Sequence, residues 1–590
     1  DHRDLHYPLR RQRQMCIRDR FMIVSLMFSG VITIFSTELK SQNLPKWNDE
    51  YHKNWWMNHG SVSEFTQSVE LLNKQINERL NKDGIVKLSQ VPSFFELVAN
   101  TFCAKYFVVP YLNKYQGSDN ASFKQIQKFI SNNFNVPGYL TRCSHYKDNK
   151  IEVIKILLDL KNKDPKIFAD YVKLAIAVSL VWDVEFPDSW PHQNVSNADL
   201  PILNPHFSQP YDFIVQSHLN GNLFYDPRRM TIRELCFVVD TPVSTKEKLY
   251  AQQIKIKRVN DLEGLYKMIP YDQNRINSNL YTWPYGEYSL IKIGAKNGGI
   301  CMDQSYFVCQ TAKAKGIPSI LFMGQGRSGV HAWLGAFDIG SGWDFTVGKW
   351  ESEKYPVGYA LDPQTWSQIT NSEMEYYLGS SGDSPSSLRG KVLLALALLN
   401  KDSPNFVNLI RYSSSVMPRS IEPWDIEYEW LTNNNADLKS IGRFWSRWIK
   451  NFKEESGLKA RGQIALLQIF KKLEMKKNYE SLSKQIISEN KSKRFDLGIS
   501  IDYEEIKNLQ DKLKWREAED KFIFALNNYG KEKSGGHLFY NLVQPYVHKL
   551  YLHKKNDQIE KARSLSRKYI VTNKGTILDN DFIKLFDQIE

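Results

Sequence analysis

The stretch from Ser319 to Phe337 constrains this chain more than any other. An apolar run, Ser319-Ile320-Leu321-Phe322-Met323, leads into Gly324-Gln325-Gly326-Arg327-Ser328-Gly329, and a second run follows, Val330-His331-Ala332-Trp333-Leu334-Gly335-Ala336-Phe337. Two strand-like runs joined by a glycine-rich segment predict a β-hairpin. Just upstream, Asn297-Gly298-Gly299-Ile300-Cys301 opens a helical run that closes at Gly316, with Pro318 beyond. Glycine at C′ and proline soon after are the usual helix stop. A helix packed on an antiparallel sheet is therefore expected between about residues 256 and 390, which makes this region α+β.

Both flanks have a different texture. From 45 to 255 the spacing is mainly helical, starting with Ser61 and Glu64 at capping-box distance before Phe65, Val69, Leu72, Ile76 and Leu80 on one face. Further helices are expected at 151–161 and 167–182, followed by a Pro/Asn-rich loop. His192, His206 and His218 lie in or beside that loop and read as ordinary packing or surface histidines. From 391 to 590 helical spacing returns. Trp515, Ala518, Phe522, Ala525 and Tyr529 suggest a helical hairpin of the tetratricopeptide kind, with no second copy visible at a fixed period.

With 590 residues, 42% of them hydrophobic, the chain is long and apolar enough for several cores, and 13% aromatic content excludes a mainly disordered protein. The net charge of +13 is carried partly by six arginines among the first twenty residues and partly by the lysine-rich C-terminal third, for example Lys471, Lys472, Lys476 and Lys477. A solvated helical surface accounts for the latter. An anionic envelope polymer or a membrane surface is the sharper expectation, since opposite charge concentrates a partner. No recognised nucleic-acid motif accompanies the charge.

Phe21–Phe35 is uncharged and apolar, preceded by Arg18 and Arg20 and followed by polar residues from Ser36 on. That layout predicts a signal peptide over 21–37, with 1–20 as an upstream segment, partly non-native, and an exported mature protein. The run is short of the ~20 residues a membrane span needs, so no stable span is expected after its removal. The alternative is an uncleaved anchor. Export leaves cysteines 103, 143, 236, 301 and 309, an odd number compatible with one or two disulfides and a reserved thiol. No Cys/His cluster has metal-ligand spacing, and no cofactor is called for.

Cys301 at a helix N-terminus sits at the positive end of the dipole, which favours thiolate over thiol. His331 opens the second strand with Trp333 on the same face, which predicts an imidazole facing that helix and able to take the thiol proton. Cys309, two turns further on, reads as core. Gly299-Ile300-Cys301, the Gly316-Ile317-Pro318 stop and His331-Ala332-Trp333 together resemble the transglutaminase-like superfamily over about 100 residues. The resemblance implies a Cys-His-Asp triad on a papain-related core. It points to the strand Gly342–Gly348 for the carboxylate, where Asp344 follows Trp343 and lies closer to the tryptophan than is usual in that family. Asp338 is the alternative, and Asp362 reads as a turn residue. Oxyanion donors are expected from the Cys301 N–H and from Asn297, Trp283 or Tyr288. Asp303 and Gln304 read as helix caps.

The expected function is cysteine-dependent amide chemistry through a thioester on a protein or peptide substrate, with peptidase or amidase activity favoured over protein-glutamine acyl transfer. The opposing expectation is a catalytically inactive transglutaminase-like binding module at the cell envelope.

Overall fold

The computed structural model describes residues 47–590, apart from 116–119, 188–189, 197–198, 201–205, 296–297, 328, 351–356, 379–383, 491–493, 531–534, 571–574 and 588–590. The expected signal segment 21–37 and Asn297 lie outside the described residues. Residues 48–590 form one compact unit. The structure is 67% helical with one five-stranded antiparallel sheet, an α+β region flanked by helices on both sides. Among the described residues no helix is long and apolar enough to cross a membrane.

The N-terminal region follows its sequence pattern. Helix Val62–Asp83 starts at Ser61, whose hydroxyl accepts the Glu64 N–H (3.2 Å), and it buries Phe65, Val69, Leu72, Ile76 and Leu80. The two later helices are Lys150–Lys163 and a pair, Pro165–Asp170 and Val172–Val181, interrupted at Tyr171. His192 is buried with Nε2 on the Tyr288 hydroxyl (2.7 Å), while His206 is exposed beside Ser208. His218 is held between Tyr171 and Asp226.

The sheet is built from β1 (Ser319–Gly326), β2 (Gly329–Asp338), β3 (Gly342–Val347), β4 (Gly358–Leu361) and β5 (Gln368–Thr370), in the order β3-β2-β1-β4-β5. The expected hairpin is β1–β2, paired from Ser319↔Ala336 down to Gly326↔Gly329. Trp333 lies flat over the backbone of two glycines. A Cβ on Gly324 or Gly358 would come within 2.5 or 2.3 Å of its ring, so both positions need glycine for the indole to fit. Helix Cys301–Ala314 packs against the sheet with all 14 residues buried. It ends as the sequence indicates, with Gly316 at φ +73° and the Ile317 N–H on the Ala312 carbonyl (2.9 Å).

Beyond residue 420 the structure contains the period that the sequence conceals. Helix pairs Glu422–Asn433/Leu438–Asn451, Ser456–Lys472/Lys476–Asn490, Phe495–Asp511/Trp515–Tyr529 and Gln544–Leu552/Asn556–Arg567 are each joined by a turn centred on one left-handed residue. These are Asn435, Glu474, Leu513 and Lys554, with φ of 51–60°, spaced 39, 39 and 41 residues apart. In each turn the following N–H bonds a carbonyl five residues back, as in Met475 to Phe470 and Lys514 to Leu509. The region is thus an array of helical hairpins. No glycine marks the left-handed positions, which is why no period stands out in the residues alone. Lys471, Lys472, Lys476 and Lys477 are exposed around one of these turns.

Candidate active site

The turn before Cys301 is held by a neighbouring segment. The Gly299 N–H donates to the Pro270 carbonyl (2.9 Å) and the Asp272 N–H to the Gly299 carbonyl (3.1 Å), so Tyr271 pairs alongside Gly299. Gly298 adopts φ +65°, and a Cβ there would lie 2.0 Å from the Pro270 carbonyl oxygen. The double glycine is what allows the two strands of backbone to touch.

Asp303 caps the helix as expected, accepting the Ile300 N–H at 2.9 Å, but it does more. It is fully buried, ion-paired with Arg275 at 2.6 Å and hydrogen-bonded by the Tyr288 hydroxyl at 3.2 Å. Arg275 donates in turn to the carbonyls of Tyr281 (2.7 Å) and Thr282 (3.1 Å). This network locks the start of helix Cys301–Ala314 to the segment 272–288. Gln304 is likewise buried and donates to the Ile269 carbonyl (2.7 Å).

Cys301 is 6% exposed and packs with Ile276, Ile300, Met302 and Ala332. The backbone amides of Ala332, Met302 and Cys301 itself lie near the sulfur and favour its thiolate. Burial outweighs these donors, and Asp303 adds to it, so the thiol is pushed up to about 11. That runs against the expectation of a thiolate stabilised by the helix end, because desolvation disfavours the charged form. Cys309 is core, as expected, with its sulfur against the Ser319 hydroxyl (3.4 Å). The five cysteines among the described residues are all thiols, so none of the disulfides expected with export is present.

His331 lies on the other face of β2 from Ala332. Ala332 packs with Cys301 and Met302, whereas Trp333 belongs to the cluster with Phe322 and Ile320. The imidazole therefore does not look straight at the helix across one face, as expected. The sulfur lies near the amide of Ala332, the residue that follows His331 on β2. His331 Nε2 donates to the Gly348 carbonyl (2.7 Å), which leaves Nδ1 with the basic lone pair. Trp350 stacks on the ring at 4.2 Å. Burial, reinforced by Lys349, lowers its pKa to about 4. Both groups are thus neutral at rest.

The carboxylate call is corrected. Asp344 is exposed, and its carboxylate is occupied by the Thr346 N–H (2.9 Å) and hydroxyl (2.6 Å). An irregularity between Leu334 and Ala336 sets Asp344 opposite Ala336. Five residues of strand separate Ala336 from His331, about 16 Å at 3.3 Å each. Asp338 caps its own turn through the Gly340 N–H (2.8 Å). Asp362 is the turn residue it seemed, holding the Gln364 N–H (2.9 Å) and paired with Arg233. The imidazole is oriented by the Gly348 carbonyl, which is fixed by φ +76°, by Tyr266 against its Cα and by the Glu263 carboxylate on its N–H (2.6 Å).

Of the oxyanion candidates, Tyr288 is committed to Asp303, and Trp283 is buried in an aromatic group with Tyr285, Tyr288 and Arg275. Tyr271, absent from the sequence reading, is better placed. The residue is 37% exposed, yet its hydroxyl end is desolvated, which raises its pKa, and the Cys301 sulfur nearby adds to this, so it stays a protonated donor near Cys301. Nothing in the sequence marks it, because it reaches the site through its backbone pairing with Gly299, a long-range contact.

Protein-family models, curated proteins and solved structures were all compared with this chain, and none matches.

Proposed function

We propose that this chain catalyses acyl transfer from an amide through a thioester on Cys301, with His331 as general base and then general acid. The observation that carries the reading is Cys301 at a helix N-terminus, its sulfur near the amide of Ala332, the residue after His331, whose Nε2–H is fixed on Gly348. Attack moves the thiol proton to Nδ1 as the C–S bond forms. The oxyanion is met by the Cys301 N–H and the Tyr271 hydroxyl, and collapse returns the proton to the leaving amine. Water or a primary amine then takes the acyl group. A neutral orienting acceptor suffices in other thiol enzymes, where an amide replaces the carboxylate.

The substrate class is a protein or peptide, met outside the cytoplasm. Amine release from peptide amides and glutamine-bearing peptides, compared between wild type and Cys301→Ala with and without added primary amine, tests the chemistry and names the acceptor. N-terminal sequencing of exported material tests the signal. A second reading, a non-catalytic module displayed with a hairpin array, is favoured by the burial and weak acidity of the thiol. It predicts no Cys301-dependent turnover on any of these substrates.

A further inference from the structure

We infer that the end of the hairpin array is a movable cover over Cys301, with Ile577 as its plug and substrate admitted when it parts from the catalytic region; this rests on the thiol chemistry proposed above. With Cys301 6% and His331 2% exposed, no amide carbonyl can come within the ~3–3.5 Å of sulfur that attack requires until something moves. Among the described residues the groups of the Cys301 cluster that come from outside the helix and sheet are Ile276, Ile300, Tyr281 and Ile577. Only Ile577 comes from a distant part of the chain.

Helix Ile577–Asp587 has two faces. Leu578, Phe582, Leu585 and Phe586 are buried in the core of the last hairpins, so the helix stays with the array. Ile577, Asn580 and Asp581, at i, i+3 and i+4, face the catalytic region. Asn580 donates to the Ile276 carbonyl (2.6 Å), and Asp581 accepts the Tyr281 hydroxyl (3.3 Å) and that of Tyr540 (2.5 Å). Other contacts along the seam are polar or to backbone: Gln273 to the Gly575 carbonyl (3.4 Å), Asn541 to Gln325 (3.3 Å), Leu578 against the Gly329 backbone, and Gly536 so close to the Gly326 carbonyl that a Cβ would lie 2.1 Å away. Water can replace such hydrogen bonds when they open, unlike a broad apolar interface, so this seam is where the molecule parts most cheaply.

Iodoacetamide labelling of the full chain at pH 8, read separately at Cys301 and Cys309, tests this. Asp581→Asn and Ile577→Ala should each speed labelling of Cys301 about tenfold, since weakening one charge-assisted bond or removing the plug raises the open population by about that factor. Cys309 should not change. Unchanged Cys301 rates in both variants would overturn the proposal, as would equal acceleration of Cys301 and Cys309, which would mean general loosening. Because labelling needs no turnover, the cover can fail this test while the chemistry survives, and loss of the Cys301-dependent reaction would leave the cover standing.

Discussion

Gly348→Ala tests how the imidazole is held. The substitution places an L-residue at φ +76°, which costs about 1–2 kcal/mol, and puts its Cβ 2.4 Å from the Tyr266 ring. Tyr266 cannot swing away freely, because its hydroxyl is bonded to the Ala332 carbonyl (3.0 Å) and the Cys301 carbonyl (3.4 Å). Forced overpacking of this kind adds about 1–3 kcal/mol. Gly342 supplies a control, since at φ +84° it has the same backbone demand but open space around a Cβ. Pulse alkylation of Cys301 across a urea gradient reads the stability of this site without requiring the whole chain to unfold in one step. Gly342→Ala should lower the midpoint by the backbone cost alone, and Gly348→Ala by clearly more. Equal shifts in the two variants would show that the Tyr266 contact is not confining Gly348.

Tyr271→Phe should slow acylation by about 10²-fold, the usual worth of one oxyanion donor, while leaving iodoacetamide labelling of Cys301 unchanged; full activity would remove Tyr271 from the mechanism. Asp344→Asn should alter neither rate nor stability, and a large loss of turnover would restore it as the orienting carboxylate. Arg275→Met strands the buried Asp303 carboxylate and should cost about 3–5 kcal/mol at the Cys301 midpoint, a loss that Asp303→Asn should share only in part. His331, held neutral with a pKa of about 4, binds its proton more readily in the unfolded chain, where the ordinary value is ~6.5. Its contribution to stability is therefore complete above about pH 6.5 and is lost as pH falls toward 4. His331→Gln should flatten that acid limb in urea titrations. Cys301 labelling should be slow at pH 6 and climb steadily toward its pKa of about 11.

Local signals were read well from the residues. The capped helix at Ser61, the Gly316-Pro318 stop and the β1–β2 hairpin depend on neighbours a few positions apart, and all three formed as expected. Errors came where the outcome depends on distant parts. Asp344 was misassigned because the slip between Leu334 and Ala336 is a pairing property of two strands. The thiol's acidity was misjudged because helix position is local whereas burial comes from a cluster that gathers Ile276 and Ala332 around Cys301, with Ile577 packed against it from 276 residues away in sequence. Arg275 and Asp303 became a buried pair through the same long-range packing, and the hairpin period was hidden because Asn435, Glu474, Leu513 and Lys554 share a backbone angle but no residue type.

The most direct test of the central claim is to trap the acyl-enzyme. The Asp581→Asn protein, whose seam is weakened, is incubated with p-nitrophenyl acetate at pH 8, quenched in acid and digested. An acetyl group on the peptide carrying Cys301, absent in the additional Cys301→Ala variant and formed far more slowly in the His331→Ala variant, is the predicted result. Acetyl at other residues only, or labelling of Cys301 at the same rate without His331, would contradict a Cys301 nucleophile served by His331.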